Sequence, residues 1–259
     1  MNILSIGTAQ FGLNYGIKNN FKRLDSVTVN NILDVARENN INTIDTAQGY
    51  GDSEIVLGQY LKNNISSDFK IVTKISQSTN IPGIVNDSLV RLNQDKLYGV
   101  LIHNFDLYKN DPSIFEELHK LKQEKLIEKI GFSLYYPHEL DLLIKNNVDF
   151  DIIQVAYSIF DRRFEKYFQI LAEKNVEIHT RSVFLQGLFF LDPTKLAPHF
   201  DKIKDKLQRL HSLSYSTDLS ISSLCLNFAA ANPFITKIVV GLDSPEDLLN
   251  NIKIIEQKE

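Results

Sequence analysis

Short apolar runs alternate along this chain with stretches in which apolar positions recur every three or four residues. The short runs are Ile3 to Gly7, Ile41 to Thr46, Phe69 to Lys74, Leu97 to His103, residues 129–134, 151–157 and 177–184, and Lys237 to Gly241. Segments such as Gly99-Val-Leu-Ile and Ile238-Val-Val are continuously apolar, which suits strands covered on both faces. The clearest helix is Ser26 to Glu38, where Val29, Ile32, Leu33 and Ala36 fall at i, i+3, i+4 and i+7. Further helices are expected near 53–62 and 81–93, from Pro112 to about Lys125, from Pro137 to Lys145 and near 162–174. A longer helical region is broken around Ser212 to Asp218, and a last helix runs from Ser244 to about Ile255. Pro112, Pro137 and Pro245 each sit where a first helical turn belongs, the position that tolerates proline best.

Eight strands alternating with helices imply parallel pairing. Eight such units in 259 residues match the size of a (β/α)8 TIM barrel of the α/β class. The rival, a doubly wound open sheet, would carry G-x-G-x-x-G after its first strand. Here that strand opens instead into Thr8-Ala-Gln-Phe-Gly-Leu-Asn-Tyr-Gly16. No linker, low-complexity stretch or internal repeat divides the chain, so one domain over residues 1–259 is expected.

Composition narrows the function. Hydrophobic residues make up 43% of the chain and charged residues 23%, ordinary for a soluble globule, and the net charge is -4 with mixed signs. That leaves no electrostatic case for nucleic acid or an anionic membrane. A single cysteine, Cys225, forbids an internal disulfide, and its apolar neighbours mark it as a buried structural thiol. No secretion signal and no apolar run of ~18 residues is present, so a cytoplasmic protein is expected.

The chemistry concentrates at Asp45-Thr-Ala-Gln-Gly-Tyr-Gly-Asp-Ser-Glu54. In a barrel of this kind the C-terminal strand ends face the active site. Asp45 ends the second strand, Tyr50 lies on the loop after it, Lys74 ends the third and His103 the fourth. Each alone has a bland reading: a structural ion pair, a loop aromatic, a core histidine. Together on neighbouring strand ends they form a proton relay. A phenol near pKa ~10 is a poor donor at neutral pH, and an ammonium in reach favours the phenolate and lowers that value. Asp45 would hold Lys74, His103 would orient a substrate oxygen, and Tyr50 would act as general acid toward a carbonyl that gains negative charge.

These residues resemble the aldo-keto reductases over nearly the whole chain. The most specific part is Asp45-Thr-Ala-Gln-Gly-Tyr-Gly-Asp-Ser-Glu-Ile-Val-Leu-Gly58, with Lys74 in Val-Thr-Lys and His103 in Leu-Ile-His-Asn. The resemblance implies an NAD(P)H-dependent reduction of an aldehyde or ketone, with Asp45, Tyr50, Lys74 and His103 as catalytic residues and no metal. It implies NADP(H) bound in extended form across the barrel mouth. Ser133 and Gln154 would hold the nicotinamide amide. Arg181 falls at the position that stacks on the nicotinamide, Ser182, Phe184, Gln186 and Gly187 match the loop on the pyrophosphate side, and Gly241, Ser244, Asp247 and Asn251 the adenosine end. Phe11, Tyr15, Phe105 and Tyr135 are expected to line the substrate pocket.

Three departures stand out. Leu134 takes the place of an asparagine, and Arg181 that of an aromatic which stacks on the nicotinamide. Asp243, Glu246 and Asp247 crowd the adenosine end, where NADPH-preferring members usually place basic residues; carboxylates there would repel a 2′-phosphate and admit NAD(H). Ser244 to Asp247 also reads as a capping box. The segments Thr8–Gly16 and Arg181–Gly187 resemble a bacterial branch found with surface-polysaccharide genes, which implies a sugar-derived substrate. Two rival readings stay open: a non-catalytic cofactor-binding regulatory protein of the same fold, and a different barrel enzyme, such as a sugar isomerase or a Schiff-base lyase using Lys74. Oligomeric state is not legible.

Overall fold

Eight short strands close into one barrel in the computed structural model, which describes residues 2–17, 22–64 and 68–257. The strands are β1 (Leu4–Gly7), β2 (Thr43–Asp45), β3 (Lys70–Ile75), β4 (Leu97–Ile102), β5 (Ile127–Leu134), β6 (Ile152–Ala156), β7 (Glu177–Arg181) and β8 (Lys237–Gly241). Each pairs in parallel with the next, and β8 returns to β1 with Gly7 opposite Gly241. The outer layer holds α1 (Ala9–Gly12), α2 (Ser26–Glu38), α3 (Ser53–Asn63), α4 (Ile81–Leu92), α5 (Phe105–Asn110), α6 (Ser113–Gln123), α7 (Pro137–Lys145), α8 (Phe168–Glu173), α9 (Asp201–Thr217), α10 (Ile221–Ala230) and α11 (Pro245–Gln257).

The barrel is the one the apolar spacing implies, and its boundaries differ for local reasons. The seventh strand stops at Arg181 rather than running to residue 184, because Ser182 turns into the left-handed region. The region from 162 to 174 starts with a short 3₁₀ turn, so only Phe168–Glu173 is α-helical. The break in the long helical region falls at left-handed Asp218, the last residue of the expected Ser212 to Asp218 stretch, with the Ser220 side chain capping α10. Two helices carried no periodic signal, the four-residue α1 and the six-residue α5. Cys225 is fully buried, and that burial pushes its thiol up to about 12.

Between strands and helices the core is apolar, and Ile6, Ile44, Val100, Ile130, Ile153 and Ile178 are all fully buried. The barrel interior is filled too. Val72, Leu101 and Ile152 form a small apolar cluster beneath the upper rim, with Tyr98 packed against it. Below lies a polar floor around Glu177. Tyr98 Oη donates to Glu177 Oε1 at 2.6 Å, Lys129 Nζ to the same oxygen at 2.5 Å, and His179 Nε2 lies 3.2 Å from Oε2. Burial disfavours the Glu177 carboxylate, but hydrogen bonds from His179, Lys129 and Tyr98 outweigh it and bring its pKa down to about 2. A site whose carboxylate is so held adds stability that is complete above the unfolded value of 4.5 and is lost as pH falls through about 2. Glu177→Gln should therefore lower the urea midpoint at pH 7, and the gap from wild type should shrink as pH drops from 4.5 toward 2. A gap constant over that range would contradict this account of the floor.

Candidate active site

At the opposite, C-terminal end, Asp45 closes β2 and points at β3. Lys74 Nζ donates to Asp45 Oδ2 at 2.7 Å, to the Thr46 carbonyl at 2.9 Å and to Tyr50 Oη at 3.4 Å. Lys74 is fully buried and Asp45 is 3% exposed. The second Asp45 oxygen accepts from Gln154 Nε2 at 2.6 Å, which ties β2 to β6 across the barrel mouth.

The loop that carries Tyr50 is fixed by small and hydroxylated residues. Ser53 Oγ donates to the Thr8 hydroxyl at 2.7 Å and lies 3.0 Å from Thr46 Oγ1, and Thr8 Oγ1 donates to the Asp45 carbonyl at 3.0 Å. Gly51 sits at φ +57°, and a side chain on Gly12 would begin 1.8 Å from the Tyr50 carbonyl oxygen, so α1 can lie directly against the loop. Glu54, buried in the first turn of α3, accepts from Thr73 Oγ1 at 2.6 Å and Arg91 Nε at 2.7 Å. Ser53 and Glu54 thus hold the loop in place rather than face the cleft.

The electrostatics correct one expectation. Burial disfavours the Lys74 ammonium, yet Asp45 and then Tyr50 outweigh it, so its pKa is raised and it stays charged. Burial likewise pushes the Tyr50 phenol above its ordinary value; Lys74 pulls it down, Asp45 pushes it up, and the net shift is upward. The expected lowering by the ammonium is present but smaller than the desolvation of a phenolate. Tyr50 stands protonated at neutral pH. His103 lies edge-on to Tyr50 with ring centroids 5.8 Å apart, and its Nδ1 is 3.2 Å from Ser76 Oγ. Burial, then the nearby Lys74 charge, brings its pKa down to about 4.

These groups open on a cleft of about 490 Å³ across the barrel mouth. Tyr50, His103, Ser133, Gln154 and Arg181 line it, with Ser182, Phe184, Gln186 and Gly187 on one side and Gly241, Asp247 and Asn251 further along. Gln154 Oε1 is buried without a hydrogen-bond partner, an acceptor with no other use in the fold. The loop after β7 is strained: Ser182, Leu185 and Gln186 hold φ of 66°, 49° and 56°, a region non-glycine residues avoid. Ile17 N donates to the Gln186 carbonyl at 3.1 Å, so the loop after β1 is strapped to the loop after β7 over the cleft. Among the described residues no cluster could hold a metal ion, and no helix is long and apolar enough to cross a membrane.

Three residues expected at the cleft lie elsewhere. Phe11 is fully buried on α1 in the core, and Phe105 starts α5 against Tyr108 and Phe132, at centroid distances of 5.8 and 6.4 Å. Of the four pocket aromatics only Tyr15 and Tyr135 reach the cleft. Ser244 is not on its wall; its Oγ accepts from Asp247 N at 3.2 Å, and Asp247 Oδ2 accepts from the amides of Asp243 and Ser244 at 3.1 Å each, the capping box in full. Gln10 is a wall residue that pattern reading missed. Its Nε2 donates to Asp243 Oδ1 at 2.5 Å across 233 positions of sequence, a contact no local signal announces. Lys237 does not serve this end: its Nζ donates to the Asn2 carbonyl at 2.7 Å, at the start of β8.

Asp45→Asn strands the buried Lys74 ammonium and should cost on the order of 3–5 kcal/mol in urea unfolding, whereas Asp45→Asn with Lys74→Met should recover most of that loss. An equal loss in both variants would show that the pair is not what the loop rests on. His103 should stay neutral in an NMR titration from pH 8 to about 5. Because the unfolded imidazole takes its proton near 6.5 and the native one near 4, stability should be full above 6.5 and fall as pH drops toward 4. A native titration near 6.5 would contradict the burial assigned to it.

Comparison with known proteins agrees with this architecture. A model of the Aldo/keto reductase family matches residues 3–258. The oxidoreductase YqkF of Bacillus subtilis is 26% identical over 253 residues, covering 86% of this chain and 80% of that protein. The L-galactose dehydrogenase of Arabidopsis thaliana is 25% identical over 239 residues, covering 85% and 75%. Among solved structures, the holo form of aldo-keto reductase AKR11C1 from Bacillus halodurans superposes with a TM-score of 0.80 at 25% identity, over 98% of this chain and 86% of that one. A family match over nearly every residue, on a barrel that closes in sequence order, gives the conclusion: the chain belongs to the aldo/keto reductase family.

Proposed function

We propose that this protein reduces an aldehyde or ketone to an alcohol with a nicotinamide dinucleotide, and that Tyr50 is the proton donor. The observation that carries the reading is the chain Asp45–Lys74–Tyr50, with links of 2.7 and 3.4 Å, ending in a phenol on the cleft beside His103. The unpartnered Gln154 Oε1 fits the donor side of a carboxamide, and Ser133 stands next to it in register on β5. When bound, the dinucleotide would supply the hydride that reaches the carbonyl carbon.

What the chain's own residues do follows from their states. Tyr50 is protonated before reaction, so it can hydrogen-bond the carbonyl oxygen together with neutral His103. As charge develops on that oxygen the proton leaves Tyr50 Oη, and the alcohol O–H forms. The phenolate left behind is then stabilised by the Lys74 ammonium, whose own charge is secured by Asp45. Solvent returns the proton. The ammonium thus works on the product of the transfer more than on the resting donor. Lys74 also argues against a Schiff-base lyase: it is fully buried, its pKa is raised, and its hydrogens are directed at three acceptors, none of it a free nucleophile.

Arg181 is the sole cation on the cleft wall among the described residues, and the α11 end presents Asp243 and Asp247. Their carboxylates already accept hydrogen bonds from Gln10 and from the α11 cap, which fixes negative charge there. A 2′-phosphate would meet repulsion, and a free 2′-hydroxyl an acceptor. The ratio of kcat/KM with NADPH to that with NADH should lie below about a hundred, a limit of about 2.7 kcal/mol; a larger ratio would sink the assignment of this end. Tyr50→Phe should bind reduced dinucleotide, read by nicotinamide fluorescence, while kcat falls by about a hundredfold or more. A variant with near wild-type kcat would remove Tyr50 from its role.

A further inference from the structure

Arg181 is a charge the proposed reaction does not use. It ends β7 on the cleft wall, and its guanidinium is locked from two sides. Nη2 donates to the Leu134 carbonyl at 3.0 Å, and the guanidinium carbon lies 4.3 Å from the centre of the Tyr135 ring. Among the described residues no carboxylate comes within ion-pair distance of it. The nearby acids are committed: Asp161 pairs with Arg163 at 2.8 Å and Asp45 with Lys74 at 2.7 Å. Nε and Nη1 make no hydrogen bond to any described residue. A half-buried guanidinium that is oriented, stacked and short of acceptors is a receptor for a planar or tetrahedral oxyanion.

Its position says which molecule brings the anion. Arg181 stacks on Tyr135 and lines the same cleft as Tyr15, Tyr50 and His103, so its free edge is open to the space where the reacting carbonyl binds. The carboxylates of Asp243 and Asp247 line the cleft where β8 leads into α11, and Gln10 and the α11 cap already donate to them. Among the described residues Arg181 is thus the one Lys or Arg on the cleft wall, and the acids that line the cleft are held by groups of the fold. Resting on the carbonyl-reductase reading, we infer that the substrate is an anionic carbonyl compound, whose carboxylate or phosphate is held by the free edge of Arg181 while its carbonyl oxygen lies between Tyr50 and His103. The anion is unchanged in the reaction; only the carbonyl gains hydride and proton.

The test compares matched pairs that differ in the anion: butanal with succinic semialdehyde, and glyceraldehyde with glyceraldehyde 3-phosphate. Wild type should favour the charged member of at least one pair by about tenfold or more in kcat/KM, and which pair does so separates carboxylate from phosphate. Arg181→Gln should bring that ratio to within about threefold of one, and Arg181→Lys should keep part of it. The ratio carries the test, whatever happens to either rate. A wild-type ratio near one, or a preference that survives Arg181→Gln, overturns the inference and leaves carbonyl reduction standing. So does an Arg181→Gln variant that loses reduced-dinucleotide affinity with its ratio intact, since the guanidinium would then serve the dinucleotide. If no carbonyl compound turns over, calorimetry with succinate and with inorganic phosphate decides: binding lost in Arg181→Gln supports the anion subsite while the reductase reading fails, and no binding in wild type overturns both.

Discussion

The Lys74–Asp45 ion pair is the constraint around which the upper barrel is arranged. Two opposite charges are buried on adjacent strands at 2.7 Å, where desolvation would reject either alone. Their remaining hydrogen-bond capacity is met by Thr46, Tyr50 and Gln154, drawn from the β2 end, the loop after it and β6. The pair therefore specifies positions as much as it stabilises. It fixes where the Tyr50 oxygen sits and which way the Gln154 amide faces, and so leaves Gln154 Oε1 unpartnered toward the cleft.

The two ends of the barrel use one device for different purposes. Below, Glu177 is held ionised by Lys129, Tyr98 and His179, and the network plugs the floor. Above, Lys74 is held ionised by Asp45, and one of its hydrogens is aimed at a group on the cleft. The apolar cluster of Val72, Leu101 and Ile152 separates the two. A buried charge network that plugs the floor is structure; a like network opening on about 490 Å³ of cleft, next to a strained loop and a neutral histidine, is equipped for chemistry.

Much of this was legible in the residues because the barrel is periodic. Parallel strands buried on both faces announce themselves as apolar runs, and the rule that strand ends face the site then places Asp45, Lys74 and His103 on one rim. The capping box at Ser244 and Asp247 was legible for the same reason, being local. What stayed hidden was long-range or energetic. An aromatic near a strand end can turn either way, and Phe11 and Phe105 turned into the core while Tyr15 and Tyr135 faced the cleft. Gln10 meets Asp243 only because the barrel closes. The sign of the Tyr50 shift depends on how deeply the phenol is buried, which spacing cannot convey.

The central claim is that Tyr50 and Lys74 act as one unit, the ammonium mattering because it receives a phenolate. A double-mutant cycle on the single-turnover rate of nicotinamide oxidation, with Tyr50→Phe, Lys74→Met and both together, reads that coupling directly. The account predicts that the double variant is no slower than Tyr50→Phe alone, within about threefold, because the ammonium acts on the rate through the phenolate, whatever its pairing with Asp45 adds to stability. Losses that multiply across the two substitutions would show two independent contributions and contradict it.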